Sequence, residues 1–322
     1  MQSLLPLLIK GTFLTMSSGA FVARAFPSLR PYLSDYGKVQ VGRDLTGKGD
    51  RGNTLTTRQG KSVWLAFKCF MVPKYRFRDF YLLSSIWCGW MLYALVYRWC
   101  YLGQLTFPIT LVKGLASRST LSSNLSIMDA ILPLTFMTIQ SLRRLYEQCL
   151  IERPSAQATM HISHYMAGLF HYSLMPLAVW IHTASLFHFS SFSSPDHLDL
   201  AHLTLRHLLA SILFLWASYH HHRQHTILAH LRSPSSSSPQ STPVYRIPQG
   251  DWFDLVASPH YLFECIIYVA MTLAGGGSDY MTCVLLWVFT NLGTTAHGTL
   301  EWYRAKFPHF PKERRAMIPY LW

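Results

Sequence analysis

Runs of apolar residues, broken at intervals by charges, organise this chain. Six are clear, at 80–97, 127–142, 165–187, 203–219, 255–273 and 280–296. A membrane-spanning helix needs roughly 20 mostly apolar residues, and these runs come close to it. Three of them carry one formal charge each: Asp129 and Arg206 near an end, and Glu264 well inside. A weaker run over 4–23 is interrupted by Lys10. No basic segment precedes it, so it reads as a span rather than a cleaved signal peptide. The run 99–112 contains Pro108 and reads as re-entrant or interfacial. The pattern predicts an all-α fold, a polytopic membrane helix bundle of six to seven transmembrane helices. It divides the chain into an N-terminal span with a basic cytoplasmic loop (1–78) and a membrane domain (79–322).

The connections test the topology. Segment 30–78 holds eleven basic residues and three acids, whereas 188–202 has no Lys or Arg, only Asp196 and Asp199. Arg143, Arg144 and Arg153 follow the third run, and Arg223, Arg232 and Arg246 follow the fifth. The turn at 275–279 lacks a base, and the tail carries Arg304, Lys306, Lys312, Arg314 and Arg315. Basic and base-poor loops alternate, except that Arg98, Lys113 and Arg118 weaken the contrast at one connection. By the positive-inside rule the N-terminus faces the lumen and the C-terminus the cytosol. Arg206 then sits at the lumenal rim, snorkelling to water.

Composition narrows the class. Charged residues make up 13% of the 322, against about a quarter in soluble domains, while half are hydrophobic and 14% aromatic. Few charges and many aromatics exclude a disordered chain or a nucleic-acid coat. The 28 Lys+Arg against 15 Asp+Glu, a net +13, suit basic cytoplasmic loops. Six cysteines are scattered without a CxxC, signalling neither a disulfide framework nor a zinc site. The stretch SPSSSSPQSTP at 233–243 is low-complexity and reads as a flexible loop. GxxxxGK[ST] is missing, and the one GxGxxG match, GKGDRG at 47–52, lies in a polar, basic stretch with no apolar strand before it, so Rossmann and P-loop readings lack their fingerprints.

Chemistry concentrates in a few places. An ionisable residue inside a membrane helix is costly enough to mark function. Glu264 is the sharpest case, with His260 one turn back on the same face. A structural Glu–His or Glu–Arg pair between helices is the competing explanation. The fifth run ends in ASYHHHRQHTILAHLR, where His221 and His225 share a face and Arg232 closes the segment. Three readings compete here. Recognition of a phosphorylated cofactor by His and Arg ranks first, since Arg's planar fork matches phosphate. Histidines at a headgroup boundary come second. Metal comes last, because HxxxH here and HxxH at His161–His164 lack the HxxHH box of membrane di-iron oxygenases. SLRRLYE puts Arg143, Arg144 and Glu147 at the cytoplasmic mouth of the third run. YRIPQGDWF, punctuated by Pro248 and Gly250, reads as a loop lying over a site.

Together these motifs resemble the steroid 5α-reductase family, most closely its polyprenol (polyprenal) reductase branch. The resemblance rests on VPKYRFRDFYLLSSIW, SLRRLYE, SYHHHRQHTILAHLR, YRIPQGDWFDLVASPHYLFE and the tail EWY…KFP…FPKERRAMIPYLW, and it covers the chain from about Val72. It implies an endoplasmic-reticulum membrane enzyme with an NADPH pocket open to the cytosol and no metal. Its cofactor contacts would fall on Arg144, His221, His225, Arg232, Tyr245, Arg246, His260, Tyr261, Glu264 and Tyr303. The family commonly has His where this chain has Leu300, and His297, one turn earlier, is the spatial substitute. The implied reaction saturates the α-isoprene double bond of a polyprenoid lipid held in the bilayer, on the route to dolichol and protein N-glycosylation. Tyr172, or Tyr146 with Glu147 beside it, are the candidates for the oxyanion or proton donor. An isoprenylcysteine-methyltransferase-like enzyme and a 3-oxo-5α-steroid reductase are the alternatives, and a multi-span scaffold or lipid carrier is the non-enzymatic one.

Overall fold

Helices occupy the positions of the apolar runs, and most extend beyond them. The computed structural model describes residues 4–25, 70–104, 106–107, 110–111, 125–152, 158–184, 186, 202–232 and 245–322. Among these, seven α-helices follow in chain order. They are α1 (Leu4–Ala25), α2 (Phe77–Tyr93), α3 (Met128–Tyr146), α4 (Ile162–His182), α5 (Leu205–Leu231), α6 (Pro259–Ala274) and α7 (Asp279–Lys306). Wider π-helical turns continue α2 through Ala94–Tyr101 and α3 through Glu147–Ile151. The serine-rich stretch, most of the basic 30–78 segment and most of the base-poor 188–202 loop lie outside the described residues. Segment 99–112 is described in part: Trp90 Nε1 donates to the Phe107 carbonyl at 3.0 Å, so the chain turns back along α2.

The helix starts follow local chemistry. Ser278 caps α7 by accepting from the amides of Tyr280 and Met281 at 3.2 and 3.4 Å, filling donors that a helix start leaves open. Thr204 and His207 form a reciprocal capping box at α5. Pro259 opens α6 at a position where its missing N–H costs nothing. A two-stranded antiparallel ribbon, β1 (Met71–Pro73) with β2 (Thr159–His161), pairs Val72 with Met160 and ties the start of α2 to the start of α4.

α5 lies along α6, α2 along α3, and α1 along α7, with α6 and α4 between them. One continuous core runs from Phe13 of α1 through Met91, Leu134, Trp180 and Phe214 to Phe263 and Met271. Among the described residues two helices reach membrane-crossing length and apolarity, at Leu5–Val22 and Lys74–Tyr101, and Pro259–Ala274 is apolar but shorter.

The charged rim residues do not behave as the sequence implies. Arg206 does not snorkel. Its guanidinium binds the Asp129 carboxylate and the carbonyls of Leu273 and Ala274, the latter two at 2.7 and 2.6 Å. His207 Nε2 reaches the same carboxylate at 2.9 Å. The clasp joins the starts of α3 and α5 to the end of α6. His297 does not replace the missing tail histidine either: it faces outward, beside Glu301 at 3.4 Å, while Leu300 is buried.

Candidate functional site

α5 outruns its apolar stretch by three turns, carrying His221, Gln224 and His225 on one buried face. α3 ends opposite them. Arg143, Arg144 and Glu147 stand at helical spacings three and four apart, which puts them on neighbouring positions of the same surface. Both arginines bind Glu147, whose side chain is fully buried. The π-helical turn after α3 then brings in Glu152, 3.0 Å from Arg144 Nη1 and 2.8 Å from His225 Nδ1.

One assignment of protons satisfies most of this network. Arg143 donates to His221 Nδ1 at 2.8 Å, and His225 Nδ1 donates to Glu152. His221 Nε2 then carries a proton, shared between His225 Nε2 at 3.1 Å and Glu264 Oε2 at 3.2 Å. Burial would raise the carboxyl pKa of both Glu147 and Glu152, but the adjacent Arg144 charge, with His225, holds them down; Glu147 falls to about 2. Glu147, Glu152 and His225 bring ligand atoms within 4.8 Å of one another, a spacing that suits a metal ion. Arg144 Nη1 already sits among those atoms and supplies the positive charge there.

α6 supplies the facing wall. Glu264 Oε2 accepts from Gln140 Nε2 of α3 at 2.9 Å. The His260 ring lies 4.1 Å from Tyr261 and 5.6 Å from His225. Above them runs the 245–254 loop. Gly250 and Asp251 take positive φ of 84° and 50°, turning the chain so that Asp251 meets His220 Nδ1 at 2.9 Å. The tail pins this loop from outside. Arg314 donates to the Pro248 carbonyl at 2.9 Å, and the amides of Ala257 and Ser258 donate to the carbonyls of Arg315 and Ala316 at 2.8 and 3.0 Å.

The structure therefore gathers Arg144, His221, His225, His260, Tyr261 and Glu264 at one end of the bundle, with Glu147 among them. Arg232 stands at the exposed end of α5, and its charge reaches both His260 and Tyr303. Arg246 and Tyr245 are exposed on the loop, with the Tyr245 ring 5.0 Å from Trp302. Tyr303 is stacked on Phe310 at 5.2 Å. Among the described residues neither Arg232 nor Arg246 has a carboxylate partner, whereas Arg143 and Arg144 are engaged by Glu147. Tyr172 packs inside, its ring 5.4 Å from Tyr81 and 4.9 Å from His171. Tyr146 lies apart from the cluster, 52% exposed on the outside of α3.

Sequence reading leaves out Tyr81 and Gln140. Tyr81 accepts from Arg144 Nε and Nη2 at 3.3 and 3.2 Å. Its only sequence signal is its place in VPKYRFRDFY. Gln140 stands one turn before Arg144, a spacing that alone marks a shared face.

The cluster's chemistry fits a polar ligand. Among the described residues, His260 Nδ1, Ser258 Oγ and both amide atoms of Gln224 are buried without a hydrogen-bond partner. Such atoms cost free energy unless something satisfies them. Arg232 and Arg246 add two exposed guanidiniums, a group whose planar fork suits phosphate.

Comparison with known proteins places the chain among relatives of one kind. A family model described as 3-oxo-5-alpha-steroid 4-dehydrogenase matches residues 173–322. Polyprenal reductase 2 of Arabidopsis thaliana is 31% identical over 300 residues, covering 82% of this chain and 86% of that protein. The polyprenal reductase of Ailuropoda melanoleuca is 32% identical over 269 residues, with 83% of each chain covered. The Homo sapiens polyprenal reductase is 32% identical over 260 residues, with 80% of each covered.

Proposed function

The chain belongs to the steroid 5α-reductase family, and from that membership we propose that it reduces the α-isoprene double bond of polyprenal with NADPH, giving dolichal. The observation that carries this reading is the convergence of Arg144, His221, His225, His260 and Glu264 near Arg232 and Arg246, which have no carboxylate partner among the described residues. In this reading the seven helices span the endoplasmic-reticulum membrane with the C-terminus in the cytosol. The product feeds dolichol synthesis and hence N-glycosylation.

NADPH supplies a hydride when bound. Arg232 and Arg246 hold its phosphates, with fork geometry suited to them. Glu264, oriented by Gln140 and His221, and His260 accept and donate to its polar groups, and Tyr303 packs beside it. Arg144 stays with Glu147 and Glu152 and sets the potential of the pocket floor. The IPQGDWF loop, strapped down by Arg314, shields the site from water.

The aldehyde is the species reduced. Hydride addition to an isolated allylic alcohol leaves charge on a carbon that nothing stabilises. With an aldehyde at C1, addition at C3 delocalises the charge onto an enolate oxygen, which a preorganised donor can stabilise. A polyprenoid tail stays in the bilayer because its apolar surface is costly in water. Purified enzyme given NADPH with polyprenal or polyprenol separately tests this: turnover of the aldehyde is expected, and fast turnover of the alcohol alone would refute it. A 3-oxo-Δ4 steroid in a third arm tests the alternative that the family model's name suggests. Family membership decides against the methyltransferase-like reading.

A further inference from the structure

We propose that Tyr81, held by Arg144, is the residue that delivers the proton to C2 of the substrate. This inference rests on the enal reduction proposed above. The Tyr81 oxygen accepts two N–H groups from Arg144, at 3.3 and 3.2 Å. Its lone pairs are thereby occupied, and its own O–H points away from the guanidinium. The same guanidinium lies 5.0 Å from the centre of the Tyr81 ring, so a charge left on the phenol oxygen is neutralised in place.

Position supports the assignment. Tyr81 stands where the polar cluster ends: one turn further along α2, Ser84 bonds Ser141 at 2.6 Å, and beyond it come the buried Cys88 and Met91. The polar head of a prenyl chain lying in the apolar interior meets the cofactor end of the bundle at this boundary. The other phenols nearby are worse placed. Tyr268 is tied to His171 Nε2 at 2.7 Å, Tyr146 faces outward, and Tyr303 is stacked within the tail. Tyr172 packs on Phe80 and Tyr81, and among the described contacts no cation meets its oxygen.

The step balances as follows. Hydride arriving at C3 moves the C2=C3 pair into C1–C2 and the carbonyl pair onto oxygen. The Tyr81 O–H bond then breaks, its proton bonding to C2 as the enolate returns to the aldehyde. The electron pair stays on the phenol oxygen, and water restores the proton before the next turnover.

The test runs purified enzyme with NADPH and polyprenal in D2O, trapping the product at once as the alcohol. Wild type is expected to place deuterium on one face of C2. Tyr81→Phe, which keeps the ring, is expected to lose about 100-fold or more in kcat, to bind NADPH within about twofold of wild type, and to label both faces in its residual product. Tyr172→Phe is expected to stay within a few-fold of wild type. Wild-type kcat in Tyr81→Phe, one-face labelling by that variant, or NADPH affinity falling in step with rate overturns the assignment. So does loss confined to Tyr172→Phe. If Tyr81→Phe does not fold, the wild-type label still decides, because deuterium on both faces rules out a positioned donor. A wild type inert toward polyprenal removes the reductase reading and this inference together, whereas an active wild type with an unaffected Tyr81→Phe removes the inference alone.

Discussion

Glu147 is wholly buried, and burial by itself would raise the pKa of its carboxyl. The neighbouring Arg144 charge leads the interactions that outweigh that penalty and hold it at about 2, below its ordinary 4.5. A carboxyl depressed on folding stabilises the native state in full above the unfolded pKa. That stability is lost as pH falls through the folded value, and here it is on the order of 3 kcal/mol. Detergent-solubilised enzyme is therefore expected to lose melting temperature between about pH 4.5 and pH 2, and Glu147→Gln to melt lower at pH 7 with a flatter acid limb. An unchanged acid limb in the variant removes Glu147 as its source. Glu264 has a different task. Glu264→Gln keeps the shape but loses the charge that faces His221, so kcat/KM is expected to fall about ten- to a hundredfold, as for loss of a charged hydrogen bond. Unchanged kinetics with NADPH would return Glu264 to a structural pair. Both residues were visible in the sequence, Glu264 as a lone acid in an apolar run and Glu147 within SLRRLYE. Tyr81 was not, because an aromatic in an apolar run looks like core until Arg144, 63 positions later, is seen on its oxygen.

At the scale of elements, periodicity located every helix and misjudged their ends. The apolar runs end at 219 and 296, whereas α5 runs on to Leu231, as ASYHHHRQHTILAHLR implies, and α7 to Lys306. Apolarity ends at the edge of the bundle, but a helix needs only its own backbone bonds to continue, and the polar extension of α5 carries His221 and His225. The Asp129 clasp was illegible for a related reason: its partners Arg206 and His207 lie 77 and 78 residues away. Asp129→Ala strands Arg206 and is expected to cost about 2–3 kcal/mol, less than a fully buried pair because Arg206 keeps 30% of its side chain exposed. The expected signature is a lower melting temperature with unchanged kcat in the protein that stays folded; loss of kcat at unchanged melting temperature contradicts it. The α2–α4 contact is tighter still. A Cβ on Gly168 would stand 2.7–3.0 Å from the Phe80 ring, which Phe77, Tyr165 and Tyr172 hem in. Gly168→Ala should therefore destabilise by about 1–3 kcal/mol, and Phe80→Leu in the same chain should restore part of that in a melting experiment. A neutral Gly168→Ala would mean that the two helices part easily.

The described helices are apolar along much of their outside and polar at one end within. Leu205, Leu208, Leu209, Ile212, Leu215, Trp216 and Tyr219 form an exposed stripe along α5, continued on other helices by Leu7, Leu14, Leu82, Ile86, Ile139 and Phe170. Soluble monomers rarely expose contiguous apolar patches beyond a few hundred Å². Arg144, Glu147, His221 and His225, by contrast, turn inward. This inversion explains why low charge density gave the class correctly while span counting stayed coarse. A helix with one face to lipid and the other to a polar site, such as α5, is less apolar on average than one buried among lipid on most sides. Among the described residues only Leu5–Val22 and Lys74–Tyr101 have the mean hydropathy of a span, although α5 presents an outward apolar stripe from Leu205 to Tyr219. The stripe itself is therefore the better evidence, and it can be challenged directly. Ile212 is 57% exposed near the middle of the apolar part of α5. An arginine at a helix centre costs about 2.5–3.5 kcal/mol on insertion. Ile212→Arg should accordingly shift the protein from the alkali-resistant membrane fraction toward the extractable one, whereas Gln249→Arg, on the exposed loop, should not. If both variants stay equally embedded, the α5 stripe faces something other than lipid, and the fifth helix has to be withdrawn from the spans.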